Sequence, residues 1–193
     1  MPNNKAKGNN FERDMSRLLS LWWTDGKRDD AIWRSASSGA LTTVGKGRYL
    51  AHTGDFAATD AEAAPLFDRV IIEAKRGYNR YSVQDLLDVP ESSLQKNPVW
   101  EMFDKLGEAC FRQRKIGLLL WKRDRRKLLA FCIDTRHCFS FHETERLGFL
   151  GPNATWTSVM IWEKFSTTVS AGQIRSLLEW PVVSSESTPS TPS

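Results

Sequence analysis

Apolar positions along the chain alternate between helical spacing and the shorter period of β-strands. The first periodic stretch predicts a helix with apolar residues Phe11, Met15, Leu18, Leu19 and Trp22. Asn9 or Asn10 is suited to cap its start, and residues 24–27 read as its end. Residues 1–10, which are polar and basic, are expected to form a flexible arm before this helix.

The remaining pattern predicts strands, a second helix, a hairpin, a further strand and a last helix. Strands are expected at 32–34, 54–57, 67–75 and 158–162, with a hairpin from 116–122 and 127–133. Helices are expected at about 99–114 and after the capping box that begins at Ser170. This order of elements predicts a mixed α/β domain.

Composition narrows the class of protein. The chain has 193 residues, 40% hydrophobic and 26% charged, which suits one globular domain over residues 11–183. Residues 184–193 are rich in Ser, Thr and Pro and are expected to be disordered. With no apolar run of about 18 residues and no signal-peptide pattern, we expect neither a membrane partner nor export. Three cysteines favour a reducing cytoplasm over a disulfide framework.

The charge balance is mildly basic, since 27 Lys and Arg residues outnumber 23 Asp and Glu residues. A net charge of +4 is compatible with a nucleic-acid partner but does not by itself indicate one. Four residues around 132–142, Cys132, His137, Cys138 and His142, lack the paired spacing of a zinc site.

The informative pattern is Asp55 followed by Glu73, Ala74 and Lys75 at the end of an apolar strand. Alternate strand residues share a face, so Glu73 and Lys75 should project together, and Asp55 on a neighbouring strand can join them. Two carboxylates and the Ala74 carbonyl would form an all-oxygen site suited to Mg²⁺. A lysine beside such a site can hold a water and offset charge on phosphorus.

Ordinary explanations for the same residues stay open. A strand end with Glu and Lys is often only a solvated rim, and the pattern also arises by chance in a charged chain. Asp60 is an alternative to Asp55, whereas Asp68, at the start of the strand predicted at 67–75, is too far from Glu73 to share an ion. His52 is an alternative general base.

Residues 7–13, 34–39, 54–55 and 72–75 occur in the order seen in PD-(D/E)xK nucleases, and this part of the chain resembles archaeal-type Holliday-junction resolvases and related phage or bacterial endonucleases. The resemblance implies a restriction-endonuclease-like α/β core, with a mixed central β-sheet flanked by helices. It also implies cleavage of DNA with Mg²⁺, or Mn²⁺ as a substitute, in the cytoplasm of a bacterial or phage-infected cell. By the resemblance, Glu12 is the helix-borne acid, Asp55, Glu73 and Ala74 the metal ligands, and Lys75 the catalytic lysine.

The chain departs from the family pattern at Gly54, which stands where proline is usual, and in the long gap between Asp55 and Glu73. Residues after 134 match nothing in the pattern, so the DNA structure and a homodimer, which a resolvase would need, stay open. Candidate phosphate contacts are Arg34, Ser35, Ser37, Ser38, Lys46, Arg48 and Arg76, although a plain surface loop explains most of them equally well. The alternatives to an enzyme are a non-catalytic nucleic-acid-binding module of the same fold and a scaffold protein in which the motif is chance.

Overall fold

In the part of the chain that the structure describes, helices flank two β-sheets. The computed structural model describes residues 4–35, 51–88, 96–134, 147–150 and 156–178. The helices are α1 (Asn4–Trp23), α2 (Ala64–Arg69), α3 (Gln84–Asp88), α4 (Pro98–Gln113), α5 (Trp162–Thr168) and α6 (Ala171–Leu178). The strands are β1 (Ile32–Arg34), β2 (Ala51–Thr53), β3 (Phe56–Ala58), β4 (Val70–Arg76), β5 (Ile116–Lys122), β6 (Leu128–Asp134), β7 (Leu147–Leu150) and β8 (Trp156–Ile161).

The larger sheet is mixed, in the order β4-β5-β6-β8-β7. Strands β4 and β5 run parallel, with Val70 opposite Ile116, and the remaining pairs are antiparallel. A parallel pair needs a crossover connection, and α3 and α4 lie on that connection. This mixed sheet with flanking helices confirms the expected restriction-endonuclease-like core.

The smaller sheet, in the order β1-β3-β2, is antiparallel and adjoins the free edge of β4. The junction is a bridge between Gly54 and Ile72, where the Asp55 N–H donates to the Ile72 carbonyl at 3.0 Å. The chain therefore brings residue 55 to the edge of the strand that carries residues 73–75.

Alternation along β4 directs its side chains into two different cores. Ile72 and Ala74 belong to a core that includes Phe11, Leu19 and Trp23 of α1. Ile71 faces the opposite way, into a core with residues of α4 that include Val99, Phe103, Leu106 and Cys110. Because alternate residues share a face, Glu73 and Lys75 lie on the α4 side of the sheet.

Most of the predicted elements are present. Strand β1, the β5–β6 hairpin, α4 and β8 lie within one or two residues of their expected bounds. The capping box is also confirmed, because the Gln173 N–H donates to Ser170 Oγ and the Ser170 N–H donates to Gln173 Oε1. No helix in the described ranges is long and apolar enough to cross a bilayer.

Two predicted boundaries were wrong. Helix α1 begins at Asn4 instead of residue 11, so residues 4–10 are not a loose arm. The costly step in forming a helix is its first turn, and here the packed turns from Phe11 onwards provide it. Extending that helix backwards through polar residues then adds one hydrogen bond for each residue that is fixed. Residues 67–69 belong to α2 and not to a strand, because Pro65 lies in the first helical turn and β4 begins only at Val70. The extent of the domain to residue 183 and the tail at 184–193 stay predictions, and the tail lies outside the described residues.

Candidate active site

Gly54 makes the close approach between the two sheets possible. Its φ is +71°, and a Cβ at this position would lie 2.3 Å from the Ile72 carbonyl oxygen. Proline fixes φ near −65° and cannot adopt this conformation. The departure from the family pattern at this residue therefore has a local cause, since the backbone here requires glycine.

Backbone contacts hold Asp55 in place. Its carbonyl accepts from the Ser35 N–H at 2.8 Å, and Ser35 Oγ donates to the Gly54 carbonyl at 2.8 Å. Asp55 Oδ2 accepts from the Ala74 N–H at 2.9 Å and from Lys75 Nζ at 2.9 Å. The carboxylate is thereby fixed against the middle of β4.

Glu73 and Lys75 converge with Asp55 on one spot. Lys75 Nζ donates to Glu73 Oε2 at 2.6 Å as well as to Asp55. One ammonium group thus lies between two carboxylates, one from the turn between β2 and β3 and one from β4. The structure brings together the three side chains that strand geometry predicted would meet.

The site perturbs the protonation of two of these groups. Burial, followed by repulsion from Asp55, raises the pKa of the Glu73 carboxyl to about 7. Burial lowers the pKa of the Lys75 ammonium, but attraction from Asp55 and Glu73 outweighs it and leaves this pKa above its usual value. Such a carboxylate pair is a place where added positive charge is favourable.

The donor set fits a hard divalent cation. The Ala74 N–H points to Asp55, and in an extended strand the carbonyl of the same residue points to the same side. Two carboxylates and a backbone carbonyl are ligands that Mg²⁺ accepts when waters complete its shell. Among the described residues no cluster of three or more His, Cys, Asp or Glu side chains is present, so a cation here would depend on Asp55, Glu73 and this carbonyl.

Glu12, on α1, is held by an ion pair with Arg34 of β1. Its Oε2 accepts from Arg34 Nε at 2.6 Å, and Arg34 Nη2 donates to Asn9 Oδ1 at 3.1 Å. The Arg34 side chain is only 4% exposed, so it does not offer the open phosphate contact expected from the sequence. It joins α1 to β1, and Ser35, which is also buried, joins β1 to the Gly54–Asp55 segment. The structure therefore gives both residues a positioning role.

The other candidate phosphate contacts divide by location. Arg76 is exposed at the end of β4 and lies 3.5 Å from Asp124. The remaining four lie outside the described residues: Ser37, Ser38, Lys46 and Arg48. The side chain of His52 is also outside them. So are residues 135–146, which hold three of the four Cys and His residues considered for zinc.

The two alternative acids lie elsewhere. Asp60 Oδ2 accepts from Arg28 Nη1 at 2.5 Å, and Asp60 Oδ1 accepts from the Glu62 N–H, so this carboxylate is engaged away from β4. Asp68 lies in α2, before the start of β4 and not on it. Asp55 is thus the acid that meets Glu73.

A cleft of about 540 Å³ opens beside the three side chains, between β4 and α4. Glu73 and Lys75 line it on one side, and Met102 and Lys105 on the other, with Tyr78 also in its lining. Sequence reasoning missed this surface. The α4 residues belong to an ordinary amphipathic helix, and only the position of Tyr78, three residues after Lys75, was a usable signal.

The mixed sheet with its flanking helices is the restriction-endonuclease-like fold expected of PD-(D/E)xK nucleases, and Asp55, Glu73 and Lys75 lie together at the edge of β4. Residues 3–143 match the family model described as "Phage putative PDDEXK endonuclease". The chain belongs to this phage endonuclease family. No curated protein and no solved structure matches the chain. The family match does not extend to Holliday-junction resolvases, so that resemblance stays a prediction.

Proposed function

We propose that this protein is a Mg²⁺-dependent DNA endonuclease that hydrolyses phosphodiester bonds in the cytoplasm of a bacterial or phage-infected cell. The observation that carries the proposal is the single Lys75 ammonium that contacts both Asp55 and Glu73. Two carboxylates that share one cation on a strand edge offer the geometry of a metal-assisted phosphoryl site. Membership in an endonuclease family supports the same chemistry.

Asp55, Glu73 and the Ala74 carbonyl would hold Mg²⁺, or Mn²⁺ in its place. When bound, such an ion polarises a phosphate oxygen and lowers the pKa of a coordinated water. The protein's part is to keep Asp55 fixed through Ser35 and the Ala74 N–H, and to present Glu73 ionised. The pKa of Glu73 near 7 means that metal binding and loss of its proton are coupled.

Lys75 supplies a positive charge, whereas the proposed metal ligands are negative or neutral. Its ammonium has three N–H donors, of which two contact carboxylates in this structure. In the proposed reaction it donates to the attacking water and to a non-bridging phosphate oxygen, and so offsets the developing negative charge. The Glu12 carboxylate accepts a hydrogen bond from Arg34 Nε, which fixes its position on α1. We propose that it orients water as the helix-borne acid.

DNA is the proposed partner, with Arg76 and the Ser37, Ser38, Lys46 and Arg48 positions as phosphate contacts beyond the cut. A branched, resolvase-like substrate is the finer proposal, and symmetric cleavage of a junction would require a homodimer. A non-catalytic binding module of the same fold is the alternative function. That alternative gives no reason for Asp55, Glu73 and Lys75 to be held together.

The test is cleavage of four DNA forms, supercoiled plasmid, linear duplex, single strand and four-way junction, with Mg²⁺, with Mn²⁺ and with EDTA. We expect metal-dependent cleavage by the parent and none by Glu73→Gln. Glu108→Gln, which removes an exposed carboxylate elsewhere, should cleave like the parent. DNA binding without cleavage of any form under either metal would favour the binding module.

A further inference from the structure

The cleft beside Glu73 has a lining that phosphate chemistry does not require. Its volume of about 540 Å³ lies within the range of roughly 300–1,000 Å³ typical of small-molecule sites. Much of its wall is apolar, with Ile71 and Leu119 from the sheet and Met102, Leu106 and Ala109 from α4. An apolar wall does not stabilise a bound phosphate group, whereas it can pack against the flat apolar face of a nucleobase.

Tyr78 lies in this lining and is held in an unusual conformation. Its φ is +56°, and the preceding Gly77 has a φ of +106°, so the chain turns sharply after β4. Gly77 is tied on both sides, because its N–H donates to the Lys122 carbonyl at 2.9 Å and its carbonyl accepts from Trp121 Nε1 at 3.1 Å. A strained, anchored residue beside a candidate active site is a reason to look for a ligand contact.

The Tyr78 side chain is exposed although the residue beside it is anchored. It is 40% exposed and is among the exposed large hydrophobic side chains of the described residues. Lys105 of α4, whose ammonium donates to Glu101, lines the same cleft as Tyr78 and Lys75. The cleft therefore combines an apolar wall, an accessible aromatic ring and two ammonium groups next to the carboxylates.

We propose that this cleft binds one unpaired nucleobase of the strand being cut, stacked on Tyr78 while its phosphate lies at Lys75. Enzymes that take up an unpaired base hold it between aromatic and apolar side chains. A base inside a continuous duplex is stacked on both sides and cannot enter a cleft. The preferred substrate class is accordingly DNA with an unpaired nucleotide at the cut, such as a bulge, a flap or a single strand. This inference rests on the proposed nuclease function.

The test measures binding separately from cleavage, in Ca²⁺ buffer, by fluorescence anisotropy. One labelled duplex carries a single unpaired adenine, and its matched partner carries an abasic residue at the same position. Stacking on an aromatic ring should favour the adenine duplex by about tenfold or more. Tyr78→Asn should abolish this preference, because asparagine tolerates the left-handed backbone but has no ring. Tyr78→Phe should keep it.

Two further variants serve as controls for the binding measurement. Phe111→Ala removes a ring that is 70% exposed on α4 outside the cleft, and it should leave the preference unchanged. Met102→Gln makes the wall polar and should reduce the preference even if Tyr78→Asn does not fold. Equal affinity of the parent for the two duplexes, or a preference that survives both Tyr78→Asn and Met102→Gln, would overturn the inference.

Cleavage of the same duplexes in Mg²⁺ distinguishes this inference from the proposed function. Metal-dependent cleavage without any adenine preference contradicts the base site alone. An adenine preference lost in Tyr78→Asn, in a parent that cuts no DNA, supports the base site and contradicts the nuclease. A parent that neither cuts DNA nor prefers the adenine duplex contradicts both the nuclease function and the base site.

Discussion

The chemistry of this protein depends on one lysine between two acids. Lys75 contacts Asp55 and Glu73, and without that ammonium the two carboxylates would repel each other within a partly buried site. Burial and this repulsion already place the pKa of Glu73 at about 7. The site is therefore short of positive charge before any metal binds.

The raised pKa predicts how stability depends on pH in metal-free buffer. A carboxyl with a folded pKa near 7 and an ordinary value of 4.5 binds a proton more tightly when folded. Its contribution to stability is therefore present below about pH 4.5 and is lost as the pH rises through about 7. Between about pH 5 and pH 7.5 the parent should lose more Tm than Glu73→Gln does, as followed by circular dichroism. Parallel Tm curves for the two proteins would mean that Glu73 has an ordinary pKa.

Gly54 is the residue whose replacement should disturb the site most through the backbone. Gly54→Ala forces a Cβ toward the Ile72 carbonyl at a φ of +71°, and we expect a loss of at least about 2 kcal/mol in unfolding free energy. The matched control is Gly8→Ala in α1, where a Cβ meets nothing within 4 Å. That change should be neutral or stabilise by about 0.5–1 kcal/mol. Equal urea midpoints for the two variants would contradict the described Gly54 backbone.

At the scale of elements, the contact between α1 and β1 depends on the ion pair of Glu12 and Arg34. Arg34→Met leaves a mostly buried carboxylate without its partner and should cost about 3 kcal/mol. The double variant Glu12→Gln with Arg34→Met should lose less than the sum of the two single changes. Urea denaturation of the four proteins measures this coupling, and strict additivity would show that the pair contributes nothing.

Elements with a clear period were predictable from sequence, and the contacts between them were not. The alternation in β4 predicted that Glu73 and Lys75 share a face, and the apolar stripe of α4 predicted its length. Proline suits a helix start as well as the connection between two strands, so Pro65 gave no clear signal and α2 was missed. Arg34 was expected to contact phosphate, because only the tertiary fold shows that its guanidinium lies within reach of Glu12. The same holds for the cleft at Tyr78, which two distant elements form together.

At the scale of the whole molecule, exposed arginines follow the strand that carries Glu73 and Lys75. The loop after β4 is tied to the β5–β6 turn, since Asn79 Nδ2 donates to Asp124 Oδ2 and Arg123 Nη1 donates to the Tyr81 carbonyl. Four exposed arginines lie at the end of β4 and on these two connected loops. We call this group the basic corner: Arg76, Arg80, Arg125 and Arg126. A phosphate backbone that leaves the cut would meet this corner.

The basic corner predicts a change in the salt dependence of DNA binding. The double variant Arg80→Ala with Arg125→Ala should lower the slope of log K against log salt by about 2, one for each lost phosphate contact. Arg112→Ala, which removes an exposed arginine of α4, should leave the slope unchanged. Anisotropy titrations at several salt concentrations provide the slopes, and identical slopes for parent and double variant would remove the corner from the interface.

The most direct measurement is cleavage in Mg²⁺, by Lys75→Met beside the parent, of whichever of the four DNA forms the parent cuts fastest. Methionine keeps the apolar stem but removes the charge and the donors. In this assay Mg²⁺ at the two carboxylates would offset their repulsion, so folding should change little, and DNA affinity should change little because one positive charge among many is lost. The rate should fall by about 10²- to 10⁴-fold, and extra Mg²⁺ should not restore it. Lys27→Met, which removes an exposed ammonium after α1, should cleave at the parental rate. Cleavage by Lys75→Met at the parental rate would contradict the proposed role of the Asp55, Glu73 and Lys75 group.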